Sequence, residues 1–183
     1  MVYFEEKGYV LMKCLFVSDI HGNVDKLNEI LKIFEKEKAD RLIFLGDTSS
    51  TESRNDNEII AEILNKIKNR IEIIRGNCDV RSFEELLDFE IYDMDNLYIN
   101  KRFVTVTHGH YYNMYNLPDN CGEIFIQGHT HVPILEKRGN RILANPGSVS
   151  RPRGVDLRCY LVIDENAISL KTLSGSIIKT MEI

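Results

Sequence analysis

The run from Lys13 to Ser18 (KCLFVS) is apolar in the manner of a strand buried on both faces. In the segment after it, Leu27, Ile30, Leu31 and Phe34 recur at the i, i+3, i+4, i+7 spacing of a helix. The loop between them, Asp19-Ile20-His21-Gly22-Asn23, is polar; Gly22 permits a tight turn and Asn23 suits a helix N-cap. The unit then repeats. A strand from Arg41 to Leu45 leads through Gly46-Asp47 to a helix carrying Ile60, Ile63, Leu64 and Ile67, and a strand from Ile71 to Ile74 runs into Gly76-Asn77. Thr48 to Glu58 is polar throughout and reads as a loop at the rim of whatever these strand ends enclose. Alternating strands and helices predict a parallel sheet, in which ligands bind beyond the carboxyl ends of the strands.

Beyond about residue 88 the pattern becomes short β-branched and aromatic runs, at 97–99, 102–107, 123–126, 132–136, 141–143, 159–163 and 168–172. No repeat, low-complexity tract or long linker separates this β-rich half from the first, so both are expected to share one core. The regular pattern begins at Met12. Residues 1–11 read as an extension or alternative start, and 12–183 as a single α/β domain.

Composition narrows the function without naming it. A chain of 183 residues is long enough to enclose a core without disulfides, and Cys14, Cys78, Cys121 and Cys159 form no CxxC pair, as expected of reduced thiols in a cytoplasmic protein. The net charge of −5 disfavours a broad nucleic-acid-coating surface. Glu5, Glu6 and Lys7 interrupt what a signal peptide would keep apolar, and no run approaches a membrane span. A small-molecule substrate is the expected partner; monomer and homo-oligomer both stay open.

Every histidine falls in one of three short segments, Asp19-Ile20-His21, His108-Gly109-His110 and Gly128-His129-Thr130-His131. Any one imidazole alone would read as a satisfied polar group, but all of them gathered at glycine-flanked strand ends point to a metal. Carboxylates, an amide oxygen and imidazoles form a mixed O/N ligand set suited to a first-row divalent ion rather than to Ca²⁺.

Asp19-x-His21, Gly46-Asp47, Gly76-Asn77, His108-Gly109-His110 and Gly128-His129-Thr130-His131, in this order, resemble the calcineurin-like metallophosphoesterases over nearly the whole chain. Gly76-Asn77-Cys78-Asp79, His131-Val132-Pro133 and Asn145-Pro146-Gly147-Ser148 look most like the YfcE-type phosphodiesterase branch. The resemblance implies a four-layer α/β/β/α sandwich. It also implies two divalent ions, Mn²⁺ foremost, with Ni²⁺, Zn²⁺, Fe²⁺, Co²⁺ or Mg²⁺ as alternatives. One would be held by Asp19, His21 and His131, the other by Asn77, His108 and His129, with Asp47 bridging. Asp47, Asn77 and His108 would thereby serve catalysis, an in-line attack on phosphorus by a hydroxide drawn from water. A phosphomonoesterase is the alternative enzyme. A non-catalytic scaffold, like the retromer subunit of this fold, is the alternative of another class, set against the full ligand complement present here.

One departure bears on mechanism: many relatives carry histidine where this chain has Cys78, and a thiol is the poorer general acid. Aryl leaving groups are therefore expected to be favoured, with Cys78 packed beside the site rather than acting as nucleophile. His110, with no ligand role assigned, is read as orienting another group, touching phosphate or serving structure. Arg75, Arg151 and Arg153 are candidate phosphate contacts, with solvated arginine the blander reading. The Asn145–Ser148 turn is expected to support the site.

Overall fold

The computed structural model describes residues 11–183. All of the expected N-terminal extension except Leu11 lies outside them. Strand β1 (Cys14–Val17) leads to helix α1 (Val24–Glu37), β2 (Arg41–Phe44), α2 (Arg54–Lys66), β3 (Ile71–Ile73) and a one-turn α3 (Arg81–Glu84). Then come β4 (Met94–Ile99), β5 (Arg102–Thr107), β6 (Ile124–Gln127), β7 (Pro133–Arg138), β8 (Arg141–Pro146), β9 (Cys159–Ile163), β10 (Ala167–Thr172) and β11 (Ile177–Glu182). Two sheets result, ordered β11-β10-β9-β1-β2-β3 and β4-β5-β6-β8-β7. β1, β2 and β3 run parallel in the first, and β5, β6 and β8 in the second.

The alternation of side chains along β1 explains the layering. Leu15 and Val17 point into a core shared with α1 and α2, while Cys14 and Phe16 point the other way, into a second core shared with Val104, Val106, Ile124 and Ile126 of the facing sheet. A central strand buried on both faces must read as an unbroken apolar run, as it does. Each of its large side chains contributes roughly 1.5–3 kcal/mol by leaving water.

The expected layered α/β sandwich is thus formed by helices, sheet, sheet and a fourth, outer layer. All described helices pack on the first sheet, and the outer face of the second is covered by Met114, Leu117 and Cys121 of an irregular segment packed on Phe125 and Leu143. The supposed rim loop is also shorter than read from sequence, because α2 begins at Arg54, where Ser53 accepts a hydrogen bond from the Asp56 amide at 3.2 Å. Its first turn shows no apolar periodicity because Arg54 and Asn55 are exposed and the buried Asn57 is polar, bonded to the Ser50 backbone. No helix among the described residues is long and apolar enough to cross a membrane.

Glu37 ties the end of α1 to the first sheet: Lys13 donates to it at 2.7 Å, Tyr160 at 2.7 Å and Lys171 at 2.8 Å. Burial pushes this carboxyl up, but the three hydrogen bonds outweigh it and bring its pKa from 4.5 down to about 2. A depressed carboxylate stabilises the fold above its unfolded pKa, and that stabilisation is lost as pH falls from about 4.5 to about 2. Urea unfolding should show Glu37→Gln less stable than the parent by about 2 kcal/mol at pH 7, with the gap closing towards pH 2. A gap independent of pH would contradict this account.

Candidate metal centre

The parallel strands of both sheets deliver their carboxyl ends to one place. The loop after β1 carries Asp19 and His21, that after β2 Asp47, that after β3 Asn77, that after β5 His108, and that after β6 His129 and His131. Asp19, His21, Asp47, His129 and His131 all adopt positive φ, between 52° and 65°. That conformation costs a non-glycine residue of order 1–3 kcal/mol and persists only where surroundings impose it. Only Lys38, Asn100 and Lys101 share it among the other non-glycine described residues, so the strain is concentrated at the chemistry.

Asp19, His21, Asp47 and His131 present one ligand atom each, all within 4.8 Å of one another. His131 Nδ1 lies 2.6 Å from the Arg151 carbonyl oxygen, which can only accept, so Nδ1 carries the proton and the neutral ring turns a bare Nε2 lone pair inward. That Nε2 lies 3.3 Å from His21 Nε2 and 3.1 Å from Asp19 Oδ1. Asp19 Oδ1 is buried without a hydrogen-bond donor. With protein groups alone, Asp19 draws the His131 pKa upward, whereas burial lowers His21. A cation would take the place of that proton.

On the other side, His108 Nδ1 sits 2.7 Å from the Leu45 carbonyl oxygen, so its Nε2 is the bare nitrogen. It faces Asn77 Oδ1 at 3.1 Å and Asp47 Oδ1 at 3.4 Å, and the His129 ring stands edge-on to it at 5.0 Å. Asp47 therefore lies between two groups, its Oδ2 being 3.8 Å from His21 Nε2. Lone pairs converging in this way fit a bound cation, and the O/N donor set is one that first-row divalent ions take. The structure brings together all seven residues singled out from the sequence as ligands.

The remaining candidates separate. Cys78 lines the same cavity, donates its amide to Asp47 Oδ1 at 2.8 Å, and has its thiol pushed up to about 11 by burial and then by Asp47. It is therefore a neutral thiol at physiological pH. The His110 ring is 5.4 Å from that of His108 and lies tilted against Tyr111 at 4.0 Å, and its pKa is lowered by burial and the neighbouring histidines. Arg75 is a correction to the expected phosphate contact: its guanidinium is bidentate to Glu84 at 2.7 and 2.9 Å and paired with Asp93 at 2.7 Å, so its charge is committed to two carboxylates. Arg151 and Arg153 do line the cavity. The Asn145–Ser148 turn supports the site through Asn145 to the Gly128 carbonyl and Ser148 to that of Asp19.

Sequence reasoning missed Asp79. Its carboxylate accepts four backbone N–H groups, from Asp47, Thr48 and Ser49 at 3.0, 2.8 and 2.8 Å and from Gly76 at 2.8 Å. It thereby staples the loop after β2 to the loop after β3. Burial pushes its pKa up, yet donors on both oxygens call for the ionised form. The staple works because Gly76 lacks a side chain; a Cβ there would collide with the Asp47 amide and carboxylate. Its sequence signal was an aspartate two residues past a candidate ligand. In titrations with Mn²⁺, Asp79→Ala should weaken binding roughly 10–100-fold, with Asp79→Asn intermediate. Unchanged affinity in both folded variants would refute the staple.

Residues 12–167 match the model of the calcineurin-like phosphoesterase superfamily domain. The phosphodiesterase YfcE of Escherichia coli K12 is 34% identical over 172 residues, covering 90% of this chain and 94% of its own. The solved structure of E. coli YfcE, described as a phosphoesterase, superposes with a TM-score of 0.86 at 33% identity, covering 94% of this chain and all of that one. Vacuolar protein sorting 29 of Cryptosporidium parvum shares the fold alone, at a TM-score of 0.66 and 14% identity, over 94% of this chain and 98% of its own. With its ligand-bearing strand ends inside the matched span, the chain belongs to the calcineurin-like phosphoesterase superfamily.

Proposed function

We propose that this protein is a phosphodiesterase that works with two divalent cations, Mn²⁺ foremost, held on either side of Asp47. Membership of the superfamily makes it a metal-dependent phosphoric ester hydrolase. The observation that carries the finer reading is Asp47 itself, with one carboxylate oxygen towards His21 and the other towards His108. Asp19, His21 and His131 would hold one ion, and Asn77, His108 and His129 the other. Bound there, such a pair lowers the pKa of water towards 7 and offsets charge on the phosphoryl oxygens.

The chain's own residues orient and select. The Leu45 and Arg151 carbonyls fix the tautomers of His108 and His131, so that in the neutral rings the inward nitrogens are the ones that carry lone pairs. Asn77 Nδ2 contacts Cys78 Sγ at 3.2 Å, which places the thiol beside a ligand on the wall of the cavity. A thiol is a weaker hydrogen-bond donor than imidazole and a poorer general acid near neutral pH, so Cys78 would give little help to a departing alkoxide. Aryl oxides need no such help, and the similarity to a phosphodiesterase agrees with diesters as substrates.

The test is to strip the protein with chelator and restore Mn²⁺, Ni²⁺, Co²⁺, Zn²⁺ or Mg²⁺ while following bis(p-nitrophenyl) phosphate and p-nitrophenyl phosphate. Hydrolysis should vanish on stripping, return with Mn²⁺, favour the diester, and fall roughly 100–1000-fold in Asp47→Asn. Rates across aryl and alkyl diesters should depend steeply on leaving-group pKa, less so in Cys78→His. Protein fully loaded with each metal that leaves both esters intact would defeat the proposal.

A further inference from the structure

Two cations in the cavity wall stand apart from every other arginine. Elsewhere in the chain the guanidinium is committed: to a carboxylate at Arg41, Arg54, Arg70, Arg75, Arg81, Arg102, Arg138 and Arg158, and to the Gly122 carbonyl at Arg141. Among the described residues the guanidiniums of Arg151 and Arg153 have no hydrogen-bond or ion-pair partner, although acidic residues outnumber basic ones by 28 to 23. Both are exposed at the mouth, yet their backbone is fixed. The Arg151 amide donates to Ser148 Oγ at 2.8 Å, the Arg151 carbonyl binds His131 Nδ1, the Arg153 amide donates to the His131 carbonyl at 3.1 Å, and Pro152 restricts φ between them. Two unpaired guanidiniums are therefore anchored to a metal-site histidine and face the same space.

That space exceeds what one phosphate needs. The cavity measures about 440 Å³, within the range of sites that enclose a whole small molecule. Charge points the same way, on the reading of two dications given above. Asp19 and Asp47 offset half of their charge, and a monoanionic diester with an attacking anion offsets the rest. The guanidiniums then remain as two surplus positive charges, the match of a terminal phosphate dianion, which arginine binds in bidentate fashion. A neighbouring cavity that Arg151 also lines carries Asp25, Glu52 and Asp56, so the anion belongs on the metal-site side of Arg151, with Arg153.

We propose that Arg151 and Arg153 form a subsite for a second phosphate, so that the preferred substrate is a phosphodiester bearing a terminal phosphomonoester, as in a nucleoside 3′,5′-bisphosphate esterified at one end. This rests on the hydrolase reading above. The matched pair to compare is thymidine 5′-(p-nitrophenyl phosphate) with and without a 3′-phosphate, on Mn²⁺-loaded protein. The 3′-phosphate should raise kcat/KM about tenfold or more, mainly through KM, and the advantage should disappear in Arg151→Gln/Arg153→Gln. Calorimetry provides an arm without turnover: thymidine 3′,5′-bisphosphate should bind about tenfold tighter than thymidine 5′-monophosphate, again only with both arginines present. No preference in the parent, or equal losses on both esters in the double variant, would overturn the subsite. If neither ester turns over, the hydrolase reading fails and the calorimetric comparison alone decides the subsite.

Discussion

Lone pairs aimed at one another inside a protein repel, and a fold that keeps them so must hold something positive between them or strain to keep them apart. Around Asp47 the conflict is compounded: imidazole nitrogens that carry the lone pairs of the neutral rings, because backbone carbonyls hold the proton on the far side, converge with an amide oxygen and two carboxylates. Much else in the molecule follows from holding them there. The ligands sit at strand ends of both sheets, so the apolar layer between the sheets, with Phe16, Ile43, Val106 and Ile126, also sets the distance between the two halves of the site.

The same arrangement stores local strain. Left-handed backbone at five positions of the candidate centre is unfavourable taken residue by residue, and it survives because neighbouring segments lock each loop. Asp19 is held through the His129 amide and Ser148, and Asp47 through the Cys78 amide and Asp79. Stability and metal binding are coupled through these contacts, since a ligand that favours the folded state stabilises it by mass action.

Much of this was legible in the sequence, for physical reasons that differ by element. β1 and β2 declare themselves because strands buried on both faces admit only apolar residues, and α1 because its capping asparagine and its core face recur at helical spacing. The residues that meet around Asp47 stood out because the sequence gathers all its imidazoles beside glycines. By contrast β11, an edge strand nearly all exposed, has no apolar alternation to show, and the single turn of α3 is too short for periodicity. The commitment of Arg75 to Glu84 and Asp93, and the four amides gathered by Asp79, depend on where chain segments meet in space. So does the isolation of Arg151 and Arg153.

The central claim is that Asp47 joins two cation positions into one centre. Electron paramagnetic resonance of the protein titrated with Mn²⁺ tests it most directly, because two Mn²⁺ ions sharing a bridging carboxylate are exchange-coupled. The account predicts a coupled signal that grows to saturation in the parent and is replaced by that of isolated ions in Asp47→Asn. A parent that shows only isolated Mn²⁺ at every loading would contradict it.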